Sequence, residues 1–96
     1  MKYRELLNKA KEMGIMAYGL AVANAIDCIL DFDYNEKEFE QLCDFGVDII
    51  LDNNNITAEI IAQGINELVT EEGNSVDEVL EMSKLDFIEE IAYLFD

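Results

Sequence analysis

Apolar residues recur at three- and four-residue spacing along almost the whole chain, and no proline interrupts them. That spacing puts apolar side chains on one side of an α-helix, whereas a half-buried strand alternates every second residue. Tyr3, Leu6, Leu7, Ala10 and Met13 form the first such face, with Glu5 and Lys9 as a favourably oriented i,i+4 pair and Gly14 as a stop or kink. Residues 15–30 are apolar most of the way round, which marks a central helix enclosed by the others. Ala17, Ala21 and Ala25 add a small-residue ridge along it, which lets another helix come close.

A third helix is predicted over residues 35–51, with Phe39, Leu42, Cys43, Gly46, Val47 and Ile50 inward. A fourth, over residues 57–70, buries Ile60, Ile61, Ile65, Leu68 and Val69. The Asp52-Asn53-Asn54-Asn55 run between them is a turn, since Asn and Asp tolerate left-handed backbone and cap helices. Gly73 and Asn74 end the fourth helix, and Ser75 with Glu78 has the form of a capping box. The last stretch buries Val79, Leu80, Met82, Leu85, Ile88, Ile91, Ala92 and Phe95, with a restart at Ser83. The expectation is one all-α domain over residues 1–96, a compact bundle of about five helices around a central apolar helix.

Charge narrows what such a bundle can do. The chain holds 22 Asp and Glu against 6 Lys and Arg, a net −16. In residues 1–11, four cations against Glu5 leave +3, so the remaining 21 acids against Lys37 and Lys84 leave −19 for residues 12–96. A surface this acidic repels nucleic acid and anionic lipid, so neither is expected as a direct partner. Residues 13–30 include an Ala21-Val22-Ala23 run similar to a signal-peptidase site, but the amphipathic, glutamate-containing stretch before it is unlike a signal n-region. The chain is read as cytoplasmic, without a membrane partner.

No histidine is present, which removes the commonest general base and the Ser-His and Cys-His nucleophile pairs. Cys28 and Cys43 are too few for a disulfide framework or a zinc site and read as buried free thiols. Asp31, Asp33 and Asn35 match positions 1, 3 and 5 of an EF-hand loop, but Glu36 stands where glycine is required and Leu42 where the bidentate glutamate belongs. A second loop after Asp52 has Ile60 at that last position. Gly14 and Gly19 have the outer spacing of a phosphate-binding loop, yet Leu20-Ala21 follows in place of Lys-Ser/Thr. No enzyme, cofactor or metal site is expected.

One pattern stands out. Glu36, Glu40, Asp44, Asp48 and Asp52 recur every four residues along the third helix, a row rising about 6 Å per step. Like charges at i,i+4 cost about 0.2–0.5 kcal/mol each, so four neighbouring pairs cost about 1–2 kcal/mol. Asp48 and Asp52 also face the negative end of the helix dipole. An acidic helix face has two readings, a solvated surface and a partner-binding stripe, and the lack of interspersed lysines favours the second. Asp77, Glu78, Glu81, Glu89 and Glu90 are less regular, and the first three fit ordinary complementation of a helix N-terminus.

In size and in this row the chain resembles small phage-encoded counter-defence proteins of the anti-CRISPR and anti-restriction kind, which often mimic nucleic acid. Asp33-Tyr34-Asn35-Glu36-Lys37-Glu38-Phe39-Glu40-Gln41-Leu42 is similar to the start of the first helix of colicin-type nuclease immunity proteins, small acidic four-helix proteins that bind a nuclease. Both resemblances imply an acidic helical inhibitor that binds a basic nucleic-acid-binding protein or nuclease, with Glu36, Glu40, Asp44, Asp48 and Asp52 standing in for phosphates. The alternative is a structural or oligomerisation module, a homodimer through the Ala17/Ala21/Ala25 ridge. Tyr34 and Tyr93 read as rim residues of an interface.

Overall fold

The computed structural model describes residues 16–53 and 55–95, so the face predicted over residues 3–13 lies outside the described residues. Within them the secondary structure is helical, with no strand: α1 (Met16–Ile29), α2 (Glu36–Asp52), α3 (Ala58–Thr70), α4 (Val76–Glu81) and α5 (Lys84–Glu90), followed by a 3-10 turn (Ala92–Leu94). The radius of gyration, 12.4 Å, matches the ~12–13 Å of a folded chain of this length. The all-α bundle read from the sequence is what forms.

Side chains that answer otherwise unpaired backbone N–H groups set the helix starts. Asn35 caps α2 and accepts from the Glu38 N–H at 2.8 Å, while the Glu38 carboxylate accepts from the Asn35 N–H at 2.9 Å. Thr57 caps α3 through the Ile60 N–H. Ser75 and Glu78 close the capping box expected at α4, and Ser83 starts α5 by accepting from Asp86. At the end of α3, Gly73 takes φ +77°, open to glycine without strain, so the Asn74 N–H and side-chain amide both fold back onto the Leu68 carbonyl.

Helix α1 packs against α3 and α2 through the buried Val22, Ala23, Ala25 and Ile26, but its other side is exposed, so it is not enclosed all round as its apolar sequence predicts. The core continues through Leu42, Ile49, Ile61, Ile65, Val79, Phe87 and Ile91. Two glycines permit the closest approaches: a Cβ on Gly46 would meet Val22, and one on Gly64 would meet Ile91. Asp31 and Asn66 tie the α1–α2 connection to α3, the Asp31 N–H donating to Asn66 Oδ1 at 2.9 Å.

The structure corrects the sequence reading at several positions. Met82 is extended (φ −64°, ψ 144°), so the final segment is two short helices and a 3-10 turn. The apolar repeat therefore changes phase after Glu81: Leu85, expected inside, is 64% exposed, while Phe87, not expected, is wholly buried. In α2, Ile49 is buried where Val47 is only half-buried, and in α3 Ile60 and Val69 are half-buried beside buried Ala58, Ala62 and Gly64. Cys43 is buried as expected, but Cys28 is exposed because α1 turns Leu20, Ala21, Asn24, Asp27 and Cys28 away from the core. That rotation splits the small-residue ridge, leaving Ala21 exposed and Ala25 buried.

Candidate functional site: the acidic face of α2

Helix α2 turns Phe39, Leu42, Cys43, Gly46, Ile49 and Ile50 into the core. At 3.6 residues per turn the opposite face carries the row, and Glu36, Asp44, Asp48 and Asp52 are exposed with Glu40 half-buried. From Glu36 to Asp52 the helix rises about 24 Å. Glu36 and Glu38 lie in the first turn, where the helix dipole favours them, but no basic residue lies in the last turn beside Asp48 and Asp52. The structure thus places all five predicted residues on one helix, in a row that winds about 160° round it from Glu36 to Asp52.

A contact from a distant element modifies the far end of this row. Lys84 Nζ lies 2.6 Å from Asp52 Oδ2, a charge-assisted hydrogen bond between partly exposed side chains. This bond raises the Lys84 pKa above its ordinary value; desolvation opposes it, and the charges of Asp52 and then Asp48 add to it. Lys37 and Lys84 are the cations among the described residues, and Lys84 serves the carboxylates at the dipole-disfavoured end. Behind that contact, Phe45 of α2 and Phe87 of α5 meet edge to face with ring centroids 4.9 Å apart. Asp52–Lys84 and Phe45–Phe87 are two side-chain contacts that join α2 to α5.

Sequence reasoning missed two further features of this face. Leu51 lies three residues after Asp48 and seven after Asp44, within the angular span of the acidic row, and is 51% exposed. Lys84 reaches Asp52 from the start of α5. The Lys84–Asp52 pair has no local sequence signal, since 32 residues separate its members. The row's field also reaches inward: burial first, then Asp44 and Glu40, pushes the Cys43 thiol up to about 12.

Elsewhere, Tyr93 is exposed and donates its phenol hydrogen to Glu67, with Glu71 and Glu72 close enough to add to the local negative charge. The Asp31 carboxylate, which matches position 1 of an EF-hand loop, accepts from the Asn66 amide at 3.4 Å, and the Asn35 side chain caps α2. Among the described residues no group of three or more His, Cys, Asp or Glu side chains is arranged to hold a metal ion, and no helix is long and apolar enough to cross a membrane.

Fold and surface together define a small all-α domain with a strongly acidic helix face. No family model matches the chain, and neither a curated protein nor a solved structure matches it.

Proposed function

We propose that this protein is a binding inhibitor without catalysis, whose acidic α2 face occupies the nucleic-acid site of a basic nucleic-acid-handling protein such as a CRISPR nuclease or complex, or another nuclease. One observation carries the reading. Five carboxylates at four-residue spacing, four exposed and Glu40 half-buried, run along about 24 Å of helix, an array of negative charge comparable in kind to a phosphate backbone. A basic groove that normally holds phosphates attracts such an array over long range, which speeds encounter and makes binding sensitive to salt. The absence of histidine from the whole sequence and of a phosphate-binding loop favours binding over chemistry.

The test uses two baits, the wild type and the variant with Glu40→Lys, Asp44→Lys and Asp48→Lys, its helicity checked by circular dichroism. Host lysate is passed over each at about 50 mM and 500 mM salt, since the Debye length shrinks severalfold across that range. The expected result is a basic nucleic-acid-binding protein held by the wild type at low salt, weakened at high salt, lost from the variant and competed off by its own nucleic acid. Equal retention by both baits at both salt concentrations would remove the acidic row from the function.

A further inference from the structure

We infer that residues 83–95 form a strap that opens as one unit about Met82, and that Lys84 couples its opening to the acidic face. Closed, the strap holds a cation on Asp52; open, it returns that carboxylate to the row. The coupling rests on the acidic-face reading above, whereas the strap itself does not.

The backbone of the segment is closed on itself. Ser83 caps α5 by accepting from the Asp86 N–H at 3.1 Å, and the Phe87 N–H donates to the Ser83 carbonyl. The Ile91, Leu94 and Phe95 N–H groups donate in turn to the carbonyls of Phe87, Ile91 and Ala92. Among the described residues, the polar links from this segment to the earlier helices are made by side chains, Lys84 to Asp52 at 2.6 Å near its start and Tyr93 to Glu67 near its end. Between them Phe87 meets Phe45 edge to face, and Ile91 lies in the notch left by Gly64. Helices α1 and α4 each pack on α2 and α3, whereas the close backbone contacts of α5 are chiefly with the 3-10 turn that follows it.

Met82 supplies the hinge. It is extended, its N–H turns back to the Val79 carbonyl at 3.1 Å, and the next helix starts afresh at Ser83. Residues at element ends absorb the φ/ψ change of such a movement. Phe87 and Ile91 are fully buried, so the open state is a minor one. Opening nevertheless gives up only the contacts of the strap and leaves α1–α4 packed, which places it below global unfolding in free energy. Lys84 connects this movement to the acidic row, because a basic ligand on the row competes with it for Asp52. Such a ligand favours the open strap, and by linkage an open strap binds the ligand more tightly by the same factor.

The test is amide exchange by NMR on the isotope-labelled full chain in about 50 mM salt, alone and with an octalysine peptide whose binding is followed by fluorescence anisotropy. The Phe87, Ile91, Leu94 and Phe95 amides are expected to exchange about tenfold or more faster than those of Ile61 and Ile65 in α3. Lys84→Ala, and Asp52→Asn from the other side, should speed the strap amides about two- to fivefold, the scale of an exposed ion pair, and leave α3 unchanged. Lys37→Ala, which changes the net charge equally, should alter neither. Octalysine should speed the strap amides of the wild type and not those of Lys84→Ala. Strap and α3 amides that exchange alike and shift together in every variant overturn the strap. Equal effects of Lys84→Ala and Lys37→Ala, or wild-type strap amides indifferent to saturating octalysine, overturn the coupling. In that case the acidic-face reading still stands if the variant with Glu40→Lys, Asp44→Lys and Asp48→Lys binds the peptide more weakly. If that variant binds octalysine as the wild type does, the acidic-face reading falls and the strap stands on the exchange difference alone.

Discussion

Gly64→Ala tests the packing that holds the end of the chain onto α3. Two effects oppose each other. In a helix interior, alanine is better than glycine by about 1 kcal/mol because it loses less backbone entropy. Against that, the new methyl would lie closer than 3.0 Å to Ile91 Cγ2, with Ile91 Cβ at 3.1 Å and Cδ1 at 3.3 Å. Ile91 is buried and β-branched, so its χ1 is stiff. Its backbone is also held, its N–H donating to Phe87 at 3.1 Å and its carbonyl accepting from Leu94 at 2.9 Å. Against so close and stiff a neighbour the overpacking falls in the upper part of the usual range, about 2–3 kcal/mol, and outweighs the propensity gain, leaving a net loss of about 1–2 kcal/mol. For a domain of this size that lowers the melting temperature by about 4–16 °C. Thermal melts by circular dichroism, with urea unfolding to confirm an unchanged slope, measure it. A double-mutant cycle fixes the cause: Ile91→Ala removes Cγ2 and should make Gly64→Ala close to neutral, whereas Ile91→Val keeps Cγ2 and should not. Gly46→Ala, whose methyl would meet Val22 Cγ1 at 2.9 Å and Ile61 Cγ2 at 3.4 Å, should cost less. The reasoning is refuted if Gly64→Ala melts at or above wild type, or loses as much in the Ile91→Ala background.

Three further outcomes are expected. Phe87→Ala, which empties a fully buried site, should cost about 3–5 kcal/mol in urea unfolding. Leu85→Ala, two residues away but exposed, should stay within about 0.5 kcal/mol, so similar losses would contradict the phase change at Met82. In the native protein a thiol reagent should label Cys28 and spare Cys43, whose thiol is buried and held up at about 12. Native Cys28→Ser protein should then show no fast-reacting thiol, and labelling of it at the wild-type rate would contradict that burial. The hydrogen bond to Glu67, then a small desolvation and the surrounding carboxylates, raises the Tyr93 phenol from 10.0 to about 12. A group raised on folding stabilises fully below its unfolded value, so this contribution is present below pH 10 and lost as pH climbs through 12. Tyrosinate absorbance should show a late-titrating step that Tyr93→Phe removes, and a late step unchanged in that variant would refute the assignment.

Most helix boundaries were legible because they depend on local chemistry. Thr57, Ser75 and Ser83 begin helices where the sequence placed them, and Gly73 ends one. The Asn35–Glu38 box is the same signature as Ser75–Glu78, with asparagine in place of serine. Burial was legible for most of the inward face of an unbroken helix, missed residues at its edges such as Cys28, Val47, Ile60 and Val69, and failed most where the repeat was interrupted. One extended residue, Met82, shifts the inward face enough to exchange Leu85 for Phe87, and the apolar composition around it is the same under either phase. Gly64 carried a usable signal, since a glycine inside a helix at about 1 kcal/mol disadvantage usually serves a close contact. The row from Glu36 to Asp52 was fully readable as a helix face. Its partner Lys84 was not, since it reaches Asp52 from a helix 32 residues away, a tertiary contact with no counterpart in local spacing.

The helix ends bear on why so acidic a chain folds at all. None of α1–α5 has a lysine or arginine in its last turn, the common way to satisfy C-terminal carbonyls and the dipole together. Two ends use neutral amides instead: Asn53 Nδ2 donates to the Ile49 carbonyl after α2, and Asn74 Nδ2 to the Leu68 carbonyl after α3, each at 3.1 Å. Amide caps satisfy those acceptors without adding positive charge, so closing the helices leaves the acidic excess of residues 12–96 intact. The residual cost is greatest at the C-terminal end of α2, where Asp48 and Asp52 combine mutual repulsion with an unfavourable dipole. That is the end Lys84 reaches. Its bond lowers the local repulsion from an exposed position on another helix, so the acidic face is held in place without giving up a core position or interspersing lysines along the row.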